Sequence, residues 1–339
     1  MRRALFIAAA LGALTWAGAA QAGTFALTGA DLSYVAPSGE TNRVFLIHEE
    51  KPVRGFRLID AGAPVTAGAG CSSVGPNEAF CPTPDSVDHI LVSVDDEDDY
   101  VNTSASSSSL TRLEGGDGND ALYSGFNSSA TLEGGLGADV LSGEGATADY
   151  SARTNPLTVT MGDGLANDGE SGEHDLIAND VRGVLGGSGA DTYTLTGTDA
   201  LRLVDAGAGI DHLVAIGSNN CGLFGGPGND QIEADHSHCG LSGGGDNDTI
   251  VGGDGRQFLD GGEGNDLLRA GPGPDSIAGE GGADEIFGGT GRDHMRGGSG
   301  DDTFRTKDGA EDFIDGNQGI DRAHADKGLD ELHDIEQLF

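Results

Sequence analysis

Aromatic residues are scarce in this chain, at 5%, with a single Trp among them. So little bulk excludes one large close-packed core of the ordinary globular kind. Basic residues are scarce too: 18 Lys and Arg stand against 56 Asp and Glu, a formal net charge of −38. Binding to nucleic acid or anionic lipid depends on Lys and Arg neutralising phosphates, so neither is a natural partner. A cation is. Left uncompensated, the self-repulsion of this charge favours an expanded chain. Proline is limited to 10 residues and no Gly-X-Y period occurs, which rules out collagen. Beyond the first 22 residues no apolar run is long enough to cross a bilayer. Glycine is what the chain has in excess, with 60 of 339 residues.

Arg2 and Arg3 precede an apolar run over residues 4–17, and Ala20-Gln21-Ala22 supplies a small-residue cleavage pattern. Residues 1–22 therefore read as a secretory signal peptide, with the mature chain starting at Gly23. The run is short for a membrane anchor. A secreted, extracellular protein is expected, in a compartment where disulfides persist.

The glycine is periodic. Residues 243–305 divide into seven consecutive nonamers: GGGDNDTIV, GGDGRQFLD, GGEGNDLLR, AGPGPDSIA, GEGGADEIF, GGTGRDHMR and GGSGDDTFR. The same frame extends upstream through ADHSHCGLS to GGPGNDQIE at Gly225, so residues 225–305 run without a gap. Isolated copies begin at Gly115, Gly134, Gly186, Ala206 and Gly316. Each position has a physical task. Gly at one, two and four permits positive φ, so that carbonyls can turn toward an ion. Asp at six supplies a charged oxygen, and the apolar residue at eight sits in a three-residue strand pointing inward. An all-oxygen set of carboxylates and carbonyls suits a hard cation, and Ca²⁺ tolerates its irregular geometry better than Mg²⁺ does.

These units match GGxGxDxUx, and over residues 106–324 the chain resembles the RTX, or haemolysin-type calcium-binding repeat, family. The resemblance implies an all-β fold, a right-handed parallel β-roll (β-solenoid) in which two nonamers make one turn and several Ca²⁺ ions lie between turns. It implies Asp120, Asp139, Asp191, Asp211, Asp230, Asp248, Asp266, Asp275, Asp284, Asp293 and Asp302 as metal ligands. Asp321 is a weaker candidate because Asn317 replaces its second Gly.

With two units per turn, alternate units stack into two rows. One row carries Asp230, Asp248, Asp266, Asp284 and Asp302 without interruption. The other reads Cys221, Cys239, Gln257, Asp275, Asp293 and Glu311, with Leu223, Leu241 and Phe313 at position eight of its outer units. Cys221 and Cys239 then fall on successive turns about 4.8 Å apart, within the reach of a disulfide. A covalent staple would replace a lost calcium link there; the alternative is two free thiols. Cys71 and Cys81 form the other expected disulfide. Leu122, Leu141, Tyr193, Leu213, Ile232, Leu241, Ile250, Leu259, Leu268, Ile277, Ile286, Met295 and Phe304 are the expected inward ladders. So thin a core cannot offset a backbone ordering cost of about 1–2 kcal/mol per residue, and metal must contribute folding free energy directly.

Outside the repeats, residues 23–105 read as a small β domain of short strands. The run 95–99, all Asp and Glu, reads as solvated charge in preference to a Ca²⁺ site, the alternative for so acidic a stretch, and residues 104–109 read as a linker or a degenerate first turn ending at Leu113. Residues 151–182 interrupt the roll with an alternating strand through Leu157, Val159 and Met161 and an acidic loop, where Asp163, Asp168 or Asp175 could add a Ca²⁺ site. Residues 325–339 show apolar residues at near-helical spacing and read as a cap on the open end of the roll.

Catalytic motifs are unconvincing. His48-Glu49 opens like HExxH without a second His, and Pro52 is unsuited to the helix that motif needs. Residues 240–244 satisfy GxSxG, but at a repeat junction with Leu241 in the core frame and without the strand and helix of a nucleophile elbow. His236 and His238 beside Cys239 have no second ligand cluster at structural-zinc spacing. His174, His212 and His294 read as surface residues. The leading expectation is a non-catalytic calcium-binding protein with a cell-surface, matrix or adhesion role. The alternative is a secreted hydrolase or polysaccharide-modifying enzyme that uses the roll as an accessory module. An apparent N-terminal signal departs from the uncleaved C-terminal export signal of many RTX proteins, which weakens inference from the toxin members.

Overall fold

The computed structural model describes residues 21–50, 53–83, 87–103, 109–125, 129–197, 201–217, 220–235 and 238–339. Residues 1–20 of the expected leader, residues 51–52, residues 104–108 and His236 lie outside the described residues. Among the described residues every regular element is a strand. The chain divides into two compact units, residues 1–146 and 147–339.

In the first unit, the strands Asp31–Val35, His89–Ser93, Leu110–Asp117 and Ala130–Leu136 pair in parallel, in that order. A second sheet stacks Arg43–Glu49, Tyr100–Thr103, Ala121–Tyr123 and Val140–Ser142 the same way. Parallel stacking thus begins upstream of the first recognisable repeat. At the N-terminal side the pairing turns antiparallel: Gly23–Thr28 covers Asp31–Val35, and Gly55–Asp60, Glu78–Pro82 and Ser72–Gly75 extend the second sheet from Arg43–Glu49. Hairpins of this kind close an edge that would otherwise template pairing with another chain. The Cys71–Cys81 disulfide, Cα atoms 4.1 Å apart, lies within this antiparallel part. In the same part the Tyr34 hydroxyl donates to Asp60 Oδ2 at 2.7 Å, while Asp60 Oδ1 accepts the backbone N–H groups of Arg43, Gly62 and Ala63. A buried carboxylate so fully satisfied is structural.

The second unit holds two further parallel stacks. One runs from Thr147–Asp149 through Cys221–Pro227 and Cys239–Gly245 to Phe313–Gln318 and Glu331–His333; the other runs from Leu157–Met161 through Thr192–Thr196 and Thr249–Val251 to Arg322–His324 and Gln337–Leu338. Register advances by 18 residues per turn where nonamers are contiguous, as in Cys221 opposite Cys239 and Ile250 opposite Leu268. All thirteen side chains expected at the inward position are buried, none more than 3% exposed. This is a parallel β-roll with two nonamers per turn.

Two details differ from the sequence reading. His294 stands opposite Phe313, 19 residues on, so residues 306–315 form a ten-residue unit. The extra residue moves the inward side chain from Phe313 to the fully buried Ile314, and the acidic position from Glu311 to Asp312. The tail contains strands, Glu331–His333 and Gln337–Leu338, instead of a helix. Leu329, Leu332, Ile335 and Leu338 recur every three residues and Phe339 lies four beyond Ile335, a spacing also compatible with helix. Exposed N–H and C=O groups beside Ile314 and Ala323 capture Leu332 and Leu338 in strands.

Each ladder residue packs between its counterparts one turn above and below. Replacing Ile277, held between Leu259 and Met295, by Ala is expected to destabilise the folded protein by about 2–5 kcal/mol in chemical denaturation.

Candidate metal centre

The glycine turns end at position six, and the three-residue strand that follows fixes the direction of its side chain. All eleven aspartates named from the repeat pattern point inward, each at most 3% exposed. They form columns bound by one repeated hydrogen bond. The backbone N–H of each aspartate donates to Oδ1 of the aspartate one turn on: Asp211 to Asp230 at 2.7 Å, Asp230 to Asp248 at 2.7 Å, Asp248 to Asp266 at 2.8 Å, Asp266 to Asp284 at 2.8 Å and Asp284 to Asp302 at 2.9 Å. Asp191 joins this column above Asp211, and Asp302 passes it to Asp321, whose own N–H reaches Glu336 Oε2. In the other row the chain runs from Gln257 to Asp275, Asp293, Asp312 and Asp330. In the first unit it links Asp99, Asp120 and Asp139.

The second carboxylate oxygen is different. Oδ2 of Asp120, Asp211, Asp230, Asp248, Asp266, Asp275, Asp284, Asp293, Asp302, Asp312 and Asp321 is buried and accepts no hydrogen bond. A Cβ on Gly243 would lie 2.1 Å from Asp248 Oδ2 and 2.6 Å from the Gly261 carbonyl, so this oxygen faces a cradle that only glycine leaves open. At position four, Gly264 has φ +136°, and a Cβ there would fall 1.8 Å from the Asp246 carbonyl. Carbonyl oxygens of successive turns therefore stack beside the carboxylate column. Among the described residues no three His, Cys, Asp or Glu side chains converge on one point. The donors are one carboxylate per turn together with main-chain oxygens. Such a set fits a hard divalent cation, and buried anionic oxygens without donors are costly until one arrives.

Several positions depart from the pattern. Asp191 Oδ2 accepts the Tyr193 hydroxyl at 3.0 Å, so its second oxygen is already used. In the Cys row, position six is filled in turn by Arg202, Cys221, Cys239 and Gln257. The two cysteines form a disulfide with Cα atoms 4.6 Å apart, the staple expected from their spacing. Arg202 is 1% exposed, and its Nη2 donates to the Asn179 carbonyl at 3.3 Å. Burial lowers its pKa, so this row begins with a costly built-in cation in place of a carboxylate. In the insertion, Asp168 accepts from the N–H groups of Thr160 and Ile177, and Asp175 from the Tyr150 hydroxyl. Asp163 caps the N–H of Leu165 at the surface. These three are engaged by the protein itself.

Sequence reasoning missed some contributors. Asp312 was hidden by the ten-residue unit. Asp99, taken as solvated with its neighbours, is 3% exposed, whereas Asp95, Glu97 and Asp98 are exposed. Position five carries a ladder of its own, with Asn229 Oδ1 accepting from the N–H of Asn247 and Asn247 Oδ1 from that of Asn265, both at 2.8 Å. The Asn-Asp pair repeated every 18 residues, at 229–230, 247–248 and 265–266, was its signal. No catalytic geometry accompanies the enzyme-like strings: Ser242 lies within the strand Cys239–Gly245, and His48 and Glu49 within Arg43–Glu49.

Burial pushes Asp248, Asp302, Asp211 and Asp312 up to about 7 and Asp230, Asp275, Asp284 and Asp293 to about 6, from an ordinary 3.8. The ladder hydrogen bond opposes the rise, and neighbouring carboxylates add to it for most. The metal-free folded state thus holds protons that the unfolded chain releases. Its ionisation penalty is absent below the unfolded value, grows from about pH 4 and is complete above about 7. In calcium-free buffer the balance is therefore expected to shift toward the folded roll as pH falls from 8 to 5, read as a gain of β signal by circular dichroism.

The family model of the RTX calcium-binding nonapeptide repeat matches four stretches, residues 112–129, 124–146, 242–277 and 269–304. A comparison with curated proteins finds no match. Two of the matched stretches cover the Asp120 and Asp139 turns, and the other two cover the turns from Asp248 to Asp302. These repeats imply calcium binding, and the chain carries RTX calcium-binding nonapeptide repeats in both of its units.

Proposed function

We propose that this is an extracellular, non-catalytic calcium-binding protein whose roll orders as several Ca²⁺ ions fill the aspartate columns. The observation that carries the reading is the row of buried Oδ2 atoms without hydrogen-bond donors, those of Asp120, Asp230, Asp248, Asp266, Asp284, Asp293 and Asp302 each beside a glycine whose Cβ would meet them. Asp120, Asp139, Asp211, Asp230, Asp248, Asp266, Asp275, Asp284, Asp293 and Asp302 would hold the metal. Asp191 would contribute at the end of its column, where Tyr193 shares its carboxylate. The bound ions supply the positive charge that the columns lack, and their binding free energy becomes folding free energy.

The organisation that goes with this function is a leader over residues 1–22, a small β domain over 23–105, the calcium-binding region over 106–324 with its insertion at 151–182, and a cap over 325–339. Two disulfides and a net charge of −38 suit an oxidising, calcium-rich exterior. A cell-surface or matrix component is the partner class.

Calorimetric titration with parallel circular dichroism tests the reading. Multi-site calcium uptake coupled to a gain of β signal is expected, with affinity around ~10⁻⁴ to 10⁻³ M. A spectrum and melting curve indifferent to chelator would overturn it. Asp266→Asn, in the middle of the long column, is expected to raise the calcium concentration at the folding midpoint about tenfold, ~1.4 kcal/mol.

A further inference from the structure

The strand Tyr100–Thr103 pairs with Ala121–Tyr123 so that Tyr100, Val101 and Asn102 stand opposite Ala121, Leu122 and Tyr123. Carried back along the turn, this register lays residues 94–102, VDDEDDYVN, on residues 115–123, GGDGNDALY, position for position. The turn contacts keep the same offset. Asp96 bridges to Asp117, the Asp117 N–H donates to the Asp95 carbonyl at 2.8 Å, and the Asn119 N–H donates to Asp98 Oδ1 at 2.9 Å. The Asp99 N–H reaches Asp120 Oδ1 at 2.8 Å, as in every column of the protein.

Residues 94–102 contain no glycine, yet they adopt the glycine turn. Asp95 and Glu97, at positions two and four, have φ of 59° and 73°, in the left-handed region. Side chains rarely enter it, and clusters of such residues mark sites where the surroundings impose the strain. The Asp95 and Glu97 carbonyls lie 1.6 and 1.9 Å from where a Cβ on Gly116 or Gly118 would fall. Within the matched repeats the Gly116 and Gly118 carbonyls stand 1.7 and 1.6 Å from the same points on Gly135 and Gly137. The stacked-carbonyl wall is thus reproduced.

Two partnerless oxygens are buried beside it. Asp99, 3% exposed, accepts the Asn42 N–H through Oδ1, and its Oδ2 has no partner. Asn42, 1% exposed and one level up the column, donates to the Glu40 carbonyl and leaves Oδ1 without a partner. Val94 occupies position one and Val101 the inward position, both fully buried.

We propose that residues 94–99 are a glycine-free repeat turn, and that a Ca²⁺ ion is held between this turn and residues 115–120 by the Asp99 and Asp120 carboxylates and turn carbonyls. The proposal rests on calcium binding by the matched repeats and extends it to a turn that lies outside every matched stretch. Exposed Asp95, Glu97 and Asp98 place negative charge at its entrance, which favours cation entry. Asn42 closes the column on its outer side with a neutral oxygen.

Equilibrium dialysis of the full chain in calcium is expected to show Asp99→Asn losing about one ion relative to the parent, while Asp88→Asn, an exposed carboxylate outside the turn, keeps the full complement. An unchanged ion count for Asp99→Asn overturns the site. Should that variant fail to fold, crystals of the unaltered chain soaked in Tb³⁺ decide: an anomalous peak between residues 94–99 and 115–120 is expected. Peaks beside Asp230 to Asp302 without one there overturn this site alone. A parent chain that takes up neither metal overturns the proposed function as well.

Discussion

The constraint on which the rest of the structure depends is a buried column of like charges. Each repeat with Asp at position six takes one carboxylate out of water and sets it directly above the next in its row. One oxygen is used by the turn above, through a main-chain N–H, and that bond orients every carboxylate identically. The other oxygen is left facing glycine and carbonyl groups. An arrangement of this kind repels itself when ionised and empty, and divalent cations in the gaps reverse the sign of the interaction.

Much of the composition follows from that column. Glycine is abundant because a side chain at positions one, two or four would collide with a carboxylate or a stacked carbonyl. The core is thin because each nonamer points only one large apolar side chain inward. Charge is one-sided because the compensating cations are not encoded in the chain. Where the column fails, other chemistry takes its place: in the Cys row a guanidinium, a disulfide and an amide occupy four successive position-six sites before the aspartates begin. Register is unbroken across that change, so main-chain pairing sets the geometry and position six adds the means of neutralising or bridging it.

The N-terminal part shows how the same backbone persists with little of the motif. Its parallel strands stack before any GGxGxD string occurs. Asp60, buried like the column aspartates, is held by a tyrosine hydroxyl and three N–H groups. Asp99, a few turns of chain away, is held through one oxygen only, and burial together with Asp120 pushes it up to about 8. Partner count thus separates a structural carboxylate from one with an open oxygen.

Periodicity together with the family resemblance it carries was enough to read the β-roll, the inward ladder from Leu122 to Phe304, the inward aspartates and the Cys221–Cys239 staple, because the resemblance implies two units per turn and spacing of nine and eighteen residues then places each residue on the solenoid. It failed where one residue disturbs the frame, as at 306–315, and where an apolar spacing of three and four suits either helix or strand, as in the tail. It failed also at residues 94–99, because the motif is written in glycine while the turn requires only the backbone angles, which Asp95 and Glu97 can be forced to adopt. Composition by itself determined that the chain needs cations and cannot rely on a large apolar core. Only the tertiary structure decided which carboxylates keep an unpartnered oxygen, since that depends on whether a hydroxyl or N–H group from a distant residue comes within reach.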